Sequence, residues 1–530
     1  MKVVRTFVEG AGIAILLLAN LLWPMLSLYH LAIYHNPVSA SATAEGFSVD
    51  LVLITVFFAV VLAVMDRWSP QQSNPVWAFL LAFWITLAVD LVVFLLRNYR
   101  LQEYNKDFPW RLSAQIAVML ATLGMGLFLS IWFPAILRRS VKAARFALAM
   151  LGCCIFWMLP QFAFIAIRTH ASEPNAFVKP LRVSSTPSAS QKRVIWILLD
   201  ELSYDQVYEH RQPDLKLPYL DELKKESVVF SNVQPEGYFT ERILPALFLG
   251  RRVDAIRSSL HRDLEIHDAQ MSQWVPFDQE ASIFGEAKQA GWSTGVVGWY
   301  NPYCHILRDV LDSCYWDVGG SFPRDKQPIV NALAFPFDWW LSHFRAPVSR
   351  TGDQAHTRDH IDLTRAADAL IRNESIRFVF LHLPIPHPPG IYDRKTNTLG
   401  VKGSYLDNLA LTDKTLGNLL GVIEETAAAP RTTVIISSDH SWRVNMWRTD
   451  PSWTAEDERV SQGKFDPRPV LLVHFPGSEV TELRSEPVSE LAVHGILESM
   501  LKGGIDSQGQ LDAWLGEHER NGGLEVAGGR

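Results

Sequence analysis

Val194-Ile-Trp-Ile-Leu-Leu-Asp-Glu201 runs six apolar residues straight into two adjacent acids. A run this short and unbroken, rich in β-branched and aromatic residues, reads as a strand buried on both faces rather than one with a solvated side. Thr294–Gly298, Arg377–Leu381, Thr433–Ser437 and Val470–Phe475 repeat the pattern, and amphipathic stretches such as Ala281–Ala290 and Asp407–Glu425 lie between them. Strand alternating with helix predicts an α/β domain built on a doubly wound, mainly parallel sheet over residues 194–502. In such a sheet ligands gather beyond the carboxyl ends of the strands, so the residues just after each run carry the functional interest.

The rest of the chain differs in composition. At 530 residues it exceeds one hydrophobic core, and 48% hydrophobic against 20% charged residues points to a membrane part beside a soluble one. Five stretches, 11–33, 50–66, 77–97, 112–136 and 145–168, approach the ~20 apolar residues that cross a bilayer, so 1–168 reads as a five-helix transmembrane bundle. The first lacks a small-residue cleavage site after it and is read as retained. Lys2 and Arg5 before the first span, and Arg138, Arg139, Lys142 and Arg145 in the 137–145 connection, place the N-terminus in the cytoplasm, against the basic 97–111 loop. Five spans then leave the C-terminal domain outside. Residues 169–193, with three prolines and a Ser/Thr patch, read as an extended tether, and 503–530 as a Gly-rich mobile tail. Net charge is −7 with no long Lys/Arg run, which argues against nucleic-acid binding.

Cys153 and Cys154 fall in the fifth span and read as packing residues, whereas Cys304 and Cys314 are expected to pair in an oxidising compartment. Asp90 lies inside the third span, where an acid is a functional candidate by default. No second intramembrane charge is visible in the sequence to form a relay with it, so a pairing role inside the bundle is expected.

Four motifs carry chemistry. Asp200 and Glu201 at a strand mouth repel each other unless a cation offsets them, and a helix cap or solvated turn is the bland alternative. Asp439-His440, after Thr433–Ser438, offers oxygen and nitrogen ligands suited to zinc or manganese. Thr240, in Gly237-Tyr-Phe-Thr240-Glu-Arg-Ile-Leu-Pro245, is the candidate nucleophile, because a hydroxyl beside a metal loses its proton more readily. Read alone it serves equally as the N-cap of a helix beginning near Arg242. His382 and His387, in a proline-rich loop, are placed to bind phosphate oxygen or protonate a leaving group, with His387 the stronger candidate for that catalytic role. Asn301 and Arg443 are further candidates for touching an anionic substrate.

In order and spacing these motifs resemble the sulfatase-type branch of the alkaline phosphatase superfamily over roughly residues 193–500. The resemblance rests on Val194–Asp205, Thr240–Gly250, Ile283–Tyr300, His382–Gly390, Tyr405-Leu-Asp-Asn with Thr412-Asp-Lys-Thr-Leu-Gly, and Ser438-Asp439-His440. Membrane spans before the domain, a threonine five residues ahead of Pro245, and two histidines five apart are similar to the lipid A phosphoethanolamine transferases; such spans also occur in the lipoteichoic acid synthases. The resemblance implies a metal held by Thr240, Asp439, His440 and an acid of the first strand, Asp200 on the sulfatase pattern or Glu201 on the transferase pattern. It further implies a phospholipid donor, an envelope lipid or glycan acceptor, and a bacterial inner membrane with the catalytic domain on its periplasmic side. No cysteine lies in the nucleophile segment, so formylglycine cannot form at Thr240 and phosphate rather than sulfate chemistry is expected. Ser441 replaces the usual glycine after Asp-His, and Trp442-Arg443-Val-Asn445 departs from the transferase pattern, which puts a second metal in question. The expected reaction is transfer of a phosphoethanolamine- or phosphoglycerol-type group through phospho-threonine. Hydrolysis with water as acceptor and a catalytically silent scaffold are the competing readings.

Overall fold

A computed structural model of the chain describes residues 2–27, 40–98, 108–168, 176–179, 191–258, 264–317, 349–479 and 481–520. The chain forms two compact units, one of residues 1–32, 36–173 and 323–346, the other of 33–35, 174–322 and 347–530.

The described residues of the first unit form helices at Lys2–Ser27, Ala40–Trp68, Pro75–Asn98, Phe108–Trp132, Pro134–Gly152 and Ile155–Arg168. Four described segments are long and apolar enough to cross a membrane, Val3–Asn20, Phe47–Trp68, Pro75–Val92 and Pro134–Phe164, while Ile116–Trp132 is shorter. The expected count of five is therefore one too many among the described residues. The basic stretch 137–145, expected as a connection, is helical because Pro134 opens a helix directly after Phe133. Leu137, Val141, Arg145 and Leu148 form its buried face, so the span expected at 145–168 is the second half of a longer run. The ends of the first span and of the 97–111 loop lie partly outside the described residues.

Arg145 also overturns the expectation that no second charge lies among these apolar helices. Its Nε donates to Glu9 Oε2 at 2.9 Å and its Nη2 to Asp66 Oδ2 at 2.9 Å, with Trp77 stacked 5.3 Å from the guanidinium. Glu9 and Arg145 are buried, as are Asp50 and Asp90. Pairing and hydrogen bonding offset the cost of burying Glu9 and Arg145. Cys153 and Cys154, expected to pack, are exposed where two helices meet.

The second unit is an α/β sandwich around a nine-stranded mixed sheet. Its strands are β1 (Ala176–Val178), β2 (Arg193–Leu199), β3 (Val228–Phe230), β4 (Thr294–Trp299), β5 (Ser313–Asp317), β6 (Phe378–Leu383), β7 (Thr432–Ser437), β8 (Leu471–His474) and β9 (Glu482–Arg484). They lie in the order β1-β5-β4-β6-β2-β7-β8-β3-β9. From β5 through β7 every pairing is parallel, so Asp200, His382 and Asp439 emerge at one edge. The β7–β8 and β8–β3 pairings are antiparallel, which makes the Val470–Phe475 run an antiparallel member rather than a parallel one. All seven residues of β2 are buried. Trp196 packs 4.5 Å from the Phe380 ring, and its indole N–H bonds Ser437 Oγ at 2.8 Å, tying β2 to both neighbours.

Local signals set the helix starts. Ser404 and Asp407 form a reciprocal capping box on Tyr405–Glu424, and Ser282 caps Ile283–Gln289. Two stretches read as unstructured are not. Ala176–Val178 of the expected tether pairs antiparallel with β5. Gln508–Arg520 of the expected tail is a helix, because Leu511 and Leu515, four residues apart, bury one face. Residues 521–530 lie outside the described residues.

Candidate active site

Helix Thr240–Leu249 begins at Thr240 itself, with Phe239 as the extended residue before it. The hydroxyl of Thr240 therefore does not cap a helix starting near Arg242. It donates instead to Asp439 Oδ2 at 2.6 Å and lies 3.2 Å from His440 Nε2. The same His440 nitrogen is 3.1 Å from Asp439 Oδ2 and 3.9 Å from Asp200 Oδ1. Asp200, Asp439 and His440 are buried, and Thr240 is 5% exposed. Residues from the ends of β2 and β7 and from one helix start thus converge on one point.

The electrostatics of this point call for a cation. Burial lifts the Asp200 carboxyl well above its ordinary range, and burial together with neighbouring Asp200 pushes Asp439 up to about 7. Asp200 Oδ1 is buried without a hydrogen-bond donor. Burial, then the Arg443 charge, holds His440 well below the usual imidazole range, so it is neutral. Its Nδ1 faces Ser441 O at 3.1 Å, which assigns the proton there and leaves the Nε2 lone pair toward the acids. An unpaired carboxylate oxygen, a second carboxylate, a neutral imidazole nitrogen and a hydroxyl form a donor set that fits a divalent metal ion.

The structure separates Asp200 and Glu201, which the sequence leaves as alternatives. Glu201 is buried, and its ligand atom lies within the same group as those of Asp200 and His440. Its oxygens, however, are already engaged: Arg443 Nε donates at 2.6 Å, and the Trp447 indole N–H at 2.8 and 3.0 Å. The local backbone produces this divergence, since Glu201 has φ 65° in the left-handed region, uncommon for a side-chain-bearing residue. The Tyr405 hydroxyl holds that turn, donating to Glu201 O at 2.7 Å and accepting from Ser203 N–H at 3.2 Å.

The two histidines at 382 and 387 take different surroundings. His382 is fully buried, with Nε2 3.2 Å from Asp200 Oδ2 and Nδ1 2.6 Å from the Tyr303 hydroxyl. Burial lowers it to about pKa 4, which makes it a neutral ring beside Asp200. Gly298 makes this relay fit, because a Cβ there would stand 2.1 Å from the Tyr303 ring. His387 Nε2 accepts from Arg443 Nη2 at 3.1 Å, and its Nδ1 faces Pro388 O. Burial, then the Arg443 charge, drives its pKa well down.

Arg443 is 5% exposed; burial works against its charge, but Glu201, Asp200 and Asp439 outweigh that and keep it protonated. Asn301 is buried in the turn after β4, its N–H bonded to Trp299 O. Sequence reading missed Tyr303 and Trp447, and quoted Tyr405 within a motif without giving it a role. Trp447 carries the faintest signal, four residues after Arg443 and so on the same side of a helical turn. Cys304 and Cys314 form a disulfide that closes the loop after Tyr303.

A sequence model of the sulfatase family matches residues 192–498. N-acetylgalactosamine-6-sulfatase of Mus musculus is 21% identical over 292 residues, 52% of this chain and 55% of that protein. The Homo sapiens enzyme of the same name is 22% identical over 261 residues, 47% and 49% of the two chains. The chain thus spans about half the length of the curated relatives it matches. Among solved structures, a sulfatase from Pseudoalteromonas sp. aligns with TM-score 0.42 at 14% identity, covering 60% of this chain and 68% of that one. The phosphonate monoester hydrolase of Agrobacterium radiobacter aligns with TM-score 0.36 at 15% identity, covering 59% and 74%.

Proposed function

The chain belongs to the sulfatase family, and from that premise we propose that it is a metal-dependent phosphotransferase or phosphoesterase whose nucleophile is Thr240. The observation that carries the reading is the Thr240 hydroxyl, 2.6 Å from Asp439 and 3.2 Å from His440 in a buried cluster with Asp200. Asp200, Thr240, Asp439 and His440 are the residues that would hold the ion. When bound, it offsets the paired carboxylates and lowers the pKa of the threonine hydroxyl.

The residues themselves supply the rest. Thr240 passes its proton to Asp439 Oδ2, and its oxygen attacks phosphorus in line while the bond from phosphorus to the leaving oxygen breaks. The leaving oxygen takes a proton from solvent as Asp439 gives up its own to solvent, so that a free alcohol and phospho-Thr240 result. An acceptor hydroxyl or water then attacks the same phosphorus and loses its proton to solvent, while the Thr240 oxygen regains a proton through Asp439 as the phospho-threonine bond breaks. Arg443, anchored by Glu201, Tyr238 O and His387, supplies fixed positive charge beside the reacting group without reorganisation. Tyr303 and His382 keep Asp200 aimed.

Sequence Thr-Glu-Arg-Ile at 240–243 holds no cysteine, which favours phosphate over sulfate esters. Four apolar helices and a disulfide support a membrane-anchored enzyme with its catalytic unit in an oxidising, extracytoplasmic compartment, in the bacterial inner membrane on the family resemblance. In that setting the donor is a phospholipid carrying a phosphoethanolamine- or phosphoglycerol-type headgroup, and the acceptor an envelope lipid or glycan. Purified protein incubated with labelled phospholipid, with and without a glycan acceptor, tests this. The reading expects headgroup release that Thr240→Ala abolishes; undiminished release by that variant, or turnover of aryl sulfates alone, rejects it.

A further inference from the structure

At the far end of the helix that begins at Thr240, a different set of metal-ligating side chains meets. His494 and Glu498 stand four residues apart on helix Ala492–Leu501 and so share one face of it. Glu286 reaches them from helix Ile283–Gln289, and one ligand atom of each of the three lies within 4.8 Å of the other two. Leu247 O, in the last turn of helix Thr240–Leu249, is 3.2 Å from His494 Nδ1, which assigns the ring proton there and turns the Nε2 lone pair toward Glu286. Nε2 stands 3.9 Å from Glu286 Oε1. That is too long for a hydrogen bond, yet within the ~4.2 Å that can separate two ligands each ~2.1 Å from one zinc ion. His494 is 8% exposed and packs so closely on the helix end that a Cβ at Gly250 would stand 2.4 Å from its ring. Glu286 Oε2 is a buried oxygen with no hydrogen-bond donor, and burial holds that carboxyl above its ordinary range. A cavity of about 530 Å³ lined by Gly250, His494, Glu498, Lys502, Trp514 and His518 adjoins the three, with room for water to complete an ion's coordination.

We propose that Glu286, His494 and Glu498 form a divalent-cation site that fastens the C-terminal end of helix Thr240–Leu249 to the two helices packed on it. About 10 Å of helix separates Thr240 from Leu247, so this ion is distinct from one held by Asp200, Thr240, Asp439 and His440, and the proposal does not depend on that reading. The counter-charge at hand is Lys502, which pairs with Glu498 and stands 4.0 Å from Glu286 Oε2. Its side chain is 59% exposed and can swing into water, so an ion displaces a surface ammonium rather than a buried charge. The negative end of the Thr240–Leu249 helix dipole falls at the same place and favours a cation there.

The test compares Zn²⁺ binding among tag-free, full-length proteins in detergent, stripped of metal and titrated with Zn²⁺. Glu286→Gln with Glu498→Gln keeps the side-chain shapes and is expected to bind one equivalent fewer than wild type. Asp200→Asn with Asp439→Asn, at the other cluster, is expected to keep that equivalent and to melt at a higher temperature once Zn²⁺ is added. Lys502→Ala, which removes the competing ammonium, is expected to bind the same equivalent more tightly. Should the double glutamine variant not fold, Glu498→Gln alone, at a side chain 37% exposed, is expected to weaken that equivalent by at least about tenfold. Equal stoichiometry and affinity in wild type and the folded glutamine variants, or weaker binding in Lys502→Ala, overturns the proposal whatever the other cluster binds.

Discussion

Replacing Tyr303 with phenylalanine removes a single oxygen 2.6 Å from His382 Nδ1 and leaves the ring that Gly298 makes room for. Because His382 is fully buried, no water replaces the lost donor, and an unsatisfied buried nitrogen costs about 1–3 kcal/mol. For a unit of this size roughly 2 kcal/mol lowers the melting temperature by about 4 °C. The larger effect falls on Asp200, 3.2 Å from the other ring nitrogen. If the ring keeps its proton on Nε2, Nδ1 is stranded; if the proton moves to Nδ1, a lone pair meets the Asp200 carboxylate. Either way the ring that steadies Asp200 loses its anchor on the other side, and loosening such an outer partner weakens metal binding by about 10- to 100-fold. Competition for Zn²⁺ against a chromogenic chelator measures this directly. A folded Tyr303→Phe protein with affinity within about twofold of wild type would refute the relay from Tyr303 through His382 to Asp200.

Further outcomes follow from burial and covalent structure. Burial lowers both His356 and His360 to about pKa 4, so the unfolded chain takes up their protons first as pH falls below 6.5. Their stabilisation is complete above 6.5 and lost toward pH 4; from pH 6.5 to 5 wild type should lose about 2 kcal/mol more than His360→Gln in urea unfolding, and parallel profiles would contradict this. Cys304→Ser with Cys314→Ser opens a loop of sequence separation 10, for which chain entropy gives about 2–3 kcal/mol of lost stability. An unchanged urea midpoint in the double variant would count against that contribution.

The central sheet is legible in the sequence because its strands are buried on both faces, and Val194–Leu199 and Thr433–Ser437 consequently appear as unbroken apolar runs. Their carboxyl ends carry Asp200 and Asp439-His440 to one place, which follows from parallel pairing. What adjacency conceals is the parting of Asp200 from Glu201. That depends on a left-handed residue and on Arg443, 242 positions away. Tyr303 was hidden for a similar reason: its partner lies 79 residues on, and its only local sign is the glycine that admits its ring. The terminal helix was obscured by glycines on either side of the short Leu511–Leu515 stripe. The fourth apolar helix run was divided at Arg145 because a buried arginine looks like a loop charge until Glu9 and Asp66 are seen against it.

The role of Thr240 is tested most directly by rapid acid quench of the metal-loaded enzyme with a phosphodiester substrate, followed by peptide mass spectrometry. The 240–250 segment should carry one phosphate-linked group on Thr240 during turnover and none after substrate is exhausted. Turnover that proceeds with the segment unmodified at every time point, and continues in Thr240→Ala, would contradict the account.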